Sequence, residues 1–253
     1  MTDPTRRHDR WYERSFGELY PLLYGHRDSA AADAETDGLL TLLDLPADRT
    51  GRASLKVLDI CCGAGRHLAA FRQRGFDAWG LDLSATLLAR AARRPGLAGR
   101  LVRANVLAVP FERCFDLAVN LFSSFGYFRA DPDNRLALQE MAEALRPRGR
   151  LVMDHINRSR LTRELVPESR RRVRGLQVVQ RRRIDGDRVV KHITVCGEGS
   201  PREFVEDVRI YHPEEITALF GACGFTEVQV YGDFDGAPFG EDAPRMIVVG
   251  RRI

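Results

Sequence analysis

The 253-residue sequence contains no apolar run long enough to cross a membrane, and its first residues, MTDPTRRHDRW, lack the apolar stretch of a secretory signal peptide. Its five cysteines are odd in number and form no CxxC pair, so we expect neither a disulfide framework nor a metal site. Internal repeats and low-complexity tracts are also absent. These absences exclude membrane-spanning, disulfide-stabilised and repeat proteins, and they predict a soluble protein of the cytoplasm.

The composition is that of a folded domain, with 44% apolar and 29% charged residues, and a chain of this length buries a core without disulfides or metals. Its net charge of +4 is unevenly distributed, because residues 157–191 carry 12 Lys and Arg against 4 Asp and Glu. Such a basic block suits a nucleic-acid footprint, a site for an acidic small molecule, a homodimer contact or the solvated face of an antiparallel sheet. Aromatic residues, on which RNA bases stack, are absent from residues 170–196, which disfavours nucleic acid.

From about residue 55, short apolar runs alternate with helical stretches, which is typical of a parallel α/β sheet. Alternating apolar and polar residues in the basic block predict instead an antiparallel hairpin with a tight turn at Asp185-Gly186. The predicted strands are Leu55–Asp59, Ala78–Asp82, Leu101–Ala104, Phe115–Leu121, Arg150–His155, Arg172–Ile184, Arg188–Cys196, Phe204–Tyr211, Glu227–Tyr231 and Met246–Val249, and helices are predicted over Asp133–Leu145 and Pro213–Cys223. The fold class is therefore α/β, a Rossmann-like doubly wound sheet of seven strands with an antiparallel β insertion.

The chain divides into four predicted segments. They are an N-terminal helical cap (1–50), a ligand-binding core (51–156), an antiparallel insertion that shapes the substrate side (157–211) and the C-terminal part of the core sheet (212–253). In the cap, Tyr20, Leu23 and Tyr24 have helical spacing, and Pro46–Gly51 is predicted as a linker.

The stretch VLDICCGAGRH, residues 57–67, predicts a glycine turn between a strand and a helix at which a nucleotide binds. A dinucleotide fingerprint, GxGxxG, needs a third glycine where this sequence has Leu68. Asp59, at the tip of the strand, would also repel a pyrophosphate. A cationic ligand fits better, and S-adenosylmethionine (SAM) carries both a sulfonium and an ammonium group.

Other residues at predicted strand ends suit the remaining parts of the same ligand. Asp82 can accept both ribose hydroxyls, and Gly63 and Gly65 let the backbone approach the ligand closely. Asn105 can pair with the adenine edge, and Val106 can pack on its ring. Because the carboxyl ends of parallel strands meet at one edge of a sheet, we expect these side chains to converge.

The motifs DICCGAG (59–65), GLDLS (80–84) and LRPRGRLVMD (145–154) together resemble those of the class I SAM-dependent methyltransferases, over Tyr12 to Arg252. The chain departs from the family at Cys61, where many members have glycine, and at Asn105, where aspartate is usual. The resemblance implies SAM as cofactor and S-adenosylhomocysteine (SAH) as product. The cofactor contacts that we expect are Asp59, Cys61, Gly63, Gly65, Asp82, Leu83, Asn105, Val106, Asn120, Leu121 and Tyr20.

The segment NLFSSFGYF, residues 120–128, lies in this family beside the transferred methyl group. Its form resembles the small-molecule branch that includes nucleotide-sugar amine N-methyltransferases, although those enzymes have a histidine after the glycine where this chain has Tyr127. The resemblance implies methyl transfer to N or O of a small-molecule acceptor. Two alternatives stay open: an RNA or protein methyltransferase that uses the basic block, and a non-catalytic SAM-binding protein.

Three residues are candidates for handling a proton of the acceptor. They are Tyr127 in the glycine-bearing loop, His155 after the fifth predicted strand, and Tyr24 in the cap. Each also has a structural interpretation: Tyr24 as part of a core stripe with Tyr20, His155 as a hydrogen-bonding partner of the backbone, and Tyr127 as packing for the adenosine.

Overall fold

The computed structural model describes residues 10–25, 29–197 and 199–253. Helices and strands alternate through the core, and a block of strands interrupts the alternation. The helices are α1 (Tyr12–Ser15), α2 (Tyr20–Leu23), α3 (Ser29–Leu42), α4 (Arg49–Ser54), α5 (Arg66–Gln73), α6 (Ala85–Ala91), α7 (Asp131–Glu143), α8 (Arg158–Glu164) and α9 (Pro213–Ala222). The strands are β1 (Lys56–Ile60), β2 (Asp77–Asp82), β3 (Leu101–Arg103), β4 (Phe115–Asn120), β5 (Leu145–His155), β6 (Glu168–Val173), β7 (Leu176–Asp185), β8 (Arg188–Cys196), β9 (Arg202–Arg209), β10 (Phe225–Tyr231) and β11 (Met246–Arg252).

The main sheet has seven strands in the order β10-β11-β5-β4-β1-β2-β3. β1 pairs in parallel with both β2 and β4, and β11 is antiparallel to β5 and β10. The strand order reverses between β1 and β4, and ligands of doubly wound sheets bind outside such a switch point. The predicted Rossmann-like fold is confirmed. No helix of the described residues is long and apolar enough to span a bilayer.

The insertion forms a second, four-stranded antiparallel sheet in the order β6-β7-β8-β9. The prediction of one strand over Arg172–Ile184 was wrong, because a turn at Arg174 and Gly175, with φ of 48° and 82°, divides it into β6 and β7. Positive φ at both central residues suits a tight hairpin turn. Long arginine side chains concealed the alternation, since they occupy both faces of the hairpin.

Two other boundaries differ from the prediction by more than a few residues. The predicted linker Pro46–Gly51 contains the start of α4, whose first turn is capped where the Asp48 side chain accepts the Gly51 N–H at 2.8 Å. β5 begins at Leu145 rather than at Arg150, and its pairing with β4 slips after Phe115. A β-bulge of this kind admits residues that break a regular ladder.

Helices cover both faces of the main sheet. On one face Leu58 and Ile60 of β1 pack with α7 and α9, and on the other Val57 packs with α3 and α5. Each fully buried Leu, Ile or Phe contributes about 1.5–3 kcal/mol to stability. A smaller cluster joins Leu23 of α2 to the second sheet. The cap and the insertion are therefore packed against each other beside the carboxyl ends of the core strands.

Candidate active site

A cavity of about 510 Å³ opens at the carboxyl ends of β1 to β4, within the range of roughly 300–1,000 Å³ that holds small ligands. The cap, the β1–α5 turn, the end of β2 and the loop after β4 all contribute to its wall. The lining residues include Tyr12, Phe16, Tyr20, Cys61, Gly63, Asp82, Leu83, Ser84, Asn105, Val106, Ser124, Gly126, Tyr127, Phe128 and Met141.

The β1–α5 turn is built from residues with positive φ. Cys61, Gly63 and Gly65 have φ of 63°, 54° and 71°. At Gly65 a β-carbon would lie 2.8 Å from a methyl group of Leu97, so this glycine allows the start of α5 to pack closely against Leu97. Gly65 does not line the cavity. Gly63 does line it, and its N–H donates to Asp82 Oδ2 at 2.8 Å.

Asp82 closes the turn from the neighbouring strand. Its Oδ1 accepts the Ser84 N–H at 2.8 Å, so each carboxylate oxygen already holds one backbone amide. Burial raises the pKa of Asp82, and the backbone amides oppose that shift. Each carboxylate oxygen can accept a second hydrogen bond, which leaves capacity for two hydroxyl groups of a ligand in the cavity.

Asp59 is buried in β1, one residue before the strand ends. Its Oδ2 meets no hydrogen-bond partner among the described residues. Burial and the Asp82 charge raise the pKa of Asp59 to about 7, although Arg66 opposes them. An unpaired buried carboxylate is costly unless a positive charge approaches it. Asp59 does not line the cavity itself, so only its electric field or a water molecule could connect it to a ligand there.

Aromatic rings form the wall on the cap side. Tyr127 lies edge-on to Trp11 at 4.8 Å and is stacked on Phe16 at 5.6 Å between ring centroids. Tyr20 packs on Phe16 at 4.9 Å. Burial raises the pKa of Tyr127 well above its ordinary value, so its hydroxyl stays protonated at neutral pH.

Besides Asp59 and Gly65, two more of the predicted cofactor residues, Asn120 and Leu121, do not line the cavity. Asn120 is fully buried and donates to the Ile60 carbonyl at 3.1 Å, while its Oδ1 has no partner among the described residues. Leu121 is in the core. By contrast Asn105 lines the cavity, with its Oδ1 accepting the Leu107 N–H at 3.0 Å, and so do Val106, Leu83 and Tyr20.

The other two catalytic candidates are not brought to the cavity wall. The Tyr24 hydroxyl donates to Glu206 and lies 2.5 Å from Lys191 Nζ, at the contact between the cap and the second sheet. His155 is fully buried, with its ring centroid 5.6 Å from that of Tyr211, and burial lowers its pKa to about 4. The buried, neutral imidazole of His155 and the hydrogen-bonded phenol of Tyr24 favour structural roles over catalytic ones. Their catalytic roles stay predictions.

An ion-pair network that was not predicted from the sequence supports the loop after β4. Glu35 of α3 accepts from His67 at 2.6 Å and from Arg66 at 2.9 Å. Burial alone would raise the pKa of Glu35, but these partners lower it to about 2. Arg245 joins Glu35 to Asp154, whose Oδ2 accepts the N–H of Phe122 at 2.8 Å. The network therefore fixes the loop at Phe122, whose backbone φ is 67°.

The cap residues Tyr12 and Phe16 line the cavity and were not predicted as site residues. The signal for them was in the sequence, since Tyr12, Phe16, Tyr20 and Tyr24 recur at every fourth position. That spacing puts aromatic rings on one side of a helical segment.

Part of the basic block forms ion pairs within the second sheet. Arg170 and Arg181 both pair with Glu168, and Lys191 pairs with Glu206. Arg188 pairs with the buried Asp207 at 2.5 Å. These arginines are part of the sheet's own structure, which further weakens the interpretation of the block as a nucleic-acid footprint.

Comparison with known proteins agrees with this geometry. A family model described as "Methyltransferase domain" matches residues 57–149. The chain is 29% identical over 222 residues to a dTDP-3-amino-3,4,6-trideoxy-alpha-D-glucopyranose N,N-dimethyltransferase of Streptomyces venezuelae, covering 84% of this chain and 91% of that one. It is similar to the SAM-bound structure of CalS10, an amino pentose methyltransferase from Micromonospora echinaspora (25% identity, TM-score 0.67, 93% and 97% covered). It is also similar to the sugar N-methyltransferase KedS8 from Streptoalloteichus sp. (26% identity, TM-score 0.67, 93% of each chain).

The switch-point cavity, the glycine turn and the Asp82 carboxylate, together with these matches, define a class I SAM-dependent methyltransferase, and SAM is its cofactor. Within the class, the chain is similar to small-molecule enzymes, among them sugar N-methyltransferases. The predicted enzyme class and cofactor are confirmed. The residues present fit SAM. The buried Asp59 oxygen without a hydrogen-bond partner would be stabilised by a cationic ligand, and Gly63 has no side chain to block the backbone from the cavity.

Proposed function

We propose that this enzyme methylates the nitrogen of a small-molecule amine, and that the amine belongs to an amino sugar. The observation that carries the proposal is the lack of a positioned base among the described residues that line the cavity. Its similarity to enzymes named for amino sugars supports the same acceptor class.

When bound, SAM supplies a methyl group on a positively charged sulfur. The protein then has to hold cofactor and acceptor in line and exclude water. We propose that Asp82 and Leu83 hold the ribose, that Asn105 and Val106 hold the adenine, and that Asp59 favours the cationic end near Gly63. Cys61 and Tyr20 border the same end, and Asn120, Leu121 and Gly65 support it from beneath.

A hydroxyl acceptor needs a base, whereas a neutral amine already has a free lone pair. The described lining contains no histidine. Of its two carboxylates, Asp82 holds backbone amides, and Glu13 is exposed and paired with Arg10 at 2.8 Å. Tyr127 and Cys61 both have pKa values raised by burial, so neither ionises at neutral pH. This environment supports transfer to an amine over transfer to an alcohol.

We further propose that each predicted segment has its own function. The core segments 51–156 and 212–253 bind SAM, the cap (1–50) covers it, and the insertion (157–211) shapes the acceptor side. The positive charge of the insertion fits an acceptor that carries phosphate. The five cysteines are free of disulfides, which fits the reducing cytoplasm. A homodimer through the second sheet completes this proposal.

The acceptor class is tested with matched pairs of sugars that differ only in an amine or a hydroxyl at one carbon, by measuring SAH release. We expect kcat/KM to be at least about 100-fold higher for the amine. The hydroxyl acceptor needs a base that the cavity lining lacks, and it also loses one orienting contact that the amine makes. Equal rates for the hydroxyl partner would overturn the proposal. Methyl incorporation into RNA with a steep salt dependence would favour the RNA alternative instead.

Tyr127→Phe tests whether the phenol contacts the acceptor. We expect kcat to fall roughly tenfold through loss of one orienting hydrogen bond, while the SAM dissociation constant stays within about twofold. The pH profile should keep its shape, because the hydroxyl of Tyr127 does not titrate near neutrality. An equal loss in kcat and SAM affinity would assign the hydroxyl to the cofactor pocket.

A further inference from the structure

Arg188, the first residue of β8, reaches from the insertion to the loop that carries Tyr127. Its Nη1 donates to the Phe128 carbonyl at 3.1 Å, and its Nη2 lies 3.3 Å and 3.5 Å from the carbonyl oxygens of Gly126 and Tyr127. One guanidinium therefore contacts three consecutive carbonyls of the cavity wall. A planar fork with five donors is suited to such a set, whereas an ammonium group is not.

The guanidinium of Arg188 is itself held from behind. Its Nε donates to Asp207 Oδ1 at 2.5 Å, and its Nη2 donates to the Asp207 carbonyl at 2.8 Å. The side chains of Arg188 and Asp207 are only 13% and 3% exposed. Charge-assisted hydrogen bonds out of water are strong and directional, so the orientation of the fork is fixed by β9.

The loop depends on contacts of this kind because it is irregular. Residues 121–130 contain no helix or strand. Gly126 has φ of 85°, its carbonyl accepts the Arg209 N–H at 2.8 Å, and a β-carbon there would lie 2.6 Å from the Arg209 carbonyl oxygen. The loop thus lies directly on the end of β9, beside the Arg188 fork, and cannot shift without breaking both contacts.

We infer that Arg188 is a positioning residue, which fixes the Tyr127 ring against the cap and so makes the insertion part of the cofactor-binding machinery. Tyr127 contacts Trp11 and Phe16 of the cap, and Trp11 is buried. A displaced Tyr127 would leave Trp11 with a gap on that side. The inference concerns SAM binding and does not depend on which acceptor is methylated.

Arg188→Lys tests the inference, because lysine retains the charge beside Asp207 and loses the fork. The first readout is the emission of Trp11 in a Trp79→Phe background, where it is the single tryptophan. We expect Arg188→Lys to shift this emission to longer wavelength and to increase quenching by acrylamide at least about twofold. Arg183→Lys is the matched control, since Arg183 lies exposed in the same hairpin, paired with Asp185, and should leave the emission unchanged.

The second readout is a double-mutant cycle on SAH affinity, measured by calorimetry. We expect Arg188→Lys to weaken SAH binding about tenfold in the wild-type background and by less than about twofold when Tyr127 is already alanine. Additive losses, or an unchanged Trp11 emission in a protein that still melts cooperatively, would overturn the inference. If no amine is methylated but Trp11 and SAH respond as expected, the proposed function fails and the inference stands.

Discussion

Asp82→Ala is expected to weaken SAM binding by roughly 100-fold, which corresponds to about 3 kcal/mol. The carboxylate has two functions, since it is the acceptor for two ribose hydroxyls in the proposed complex and it holds the Gly63 and Ser84 amides at 2.8 Å. Its removal therefore loses charge-assisted contacts to the ligand and leaves two amides without their acceptor. Calorimetry measures the loss of affinity for SAM and for SAH. The two losses should be similar, because both ligands carry the same ribose.

The matched control for this change is Asp77→Ala. Asp77 lies at the opposite end of the same strand, paired with Arg100 at 2.5 Å and away from the cavity lining. It should lower stability modestly, because it removes a partly buried ion pair, and leave SAM affinity unchanged. Similar SAM affinities for Asp82→Ala and Asp77→Ala would refute the assignment of Asp82 to the ribose.

The cofactor side of the site was predictable because its geometry is local. A strand that ends at Asp82 and a glycine turn after β1 must meet at the carboxyl edge of a parallel sheet, whatever the rest of the chain does. Asn105 and Val106 follow β3 at the same edge and line the cavity, and their contacts with the cofactor stay predictions. Gly65 shows the limit of this logic, since a positive φ required glycine there while Leu97, distant in sequence, determined what the glycine contacts.

The acceptor side was less predictable because it is assembled from distant segments. The partners of Tyr24 are Lys191 and Glu206, which lie more than 160 positions further along the chain. Glu35 meets Arg245 across a similar separation. Nothing in local periodicity encodes such encounters, because they depend on how the cap and the insertion pack after the sheet has formed. The catalytic candidates Tyr24 and His155 were selected by chain position, and the direction of each side chain was decided by this packing.

Asp59→Asn is expected to change stability and SAM affinity in opposite directions. In the folded protein the pKa of Asp59 is raised to about 7, well above the ordinary aspartate value of about 3.9. Between these values the folded state binds more protons than the unfolded state, so the stability of the ligand-free protein falls as pH rises from about 4 to about 7. Asparagine carries no charge, and at pH 8 the variant should therefore be more stable without ligand, by up to about 4 kcal/mol.

With SAM the order of the two proteins reverses, because the ionised carboxylate that destabilises the empty site attracts the cationic ligand. Wild-type affinity should rise as pH increases through about 7, by at most about tenfold per unit below the pKa of Asp59, whereas the affinity of Asp59→Asn should be weak and nearly independent of this group. Thermal unfolding with and without SAM at pH 6 and pH 8 measures both effects in one experiment. A variant that matches wild type in SAM affinity at pH 8 would show that Asp59 is only a buried structural carboxyl. A variant that loses affinity while gaining ligand-free stability would show that this enzyme keeps an unfavourable charge in its core because SAM neutralises it.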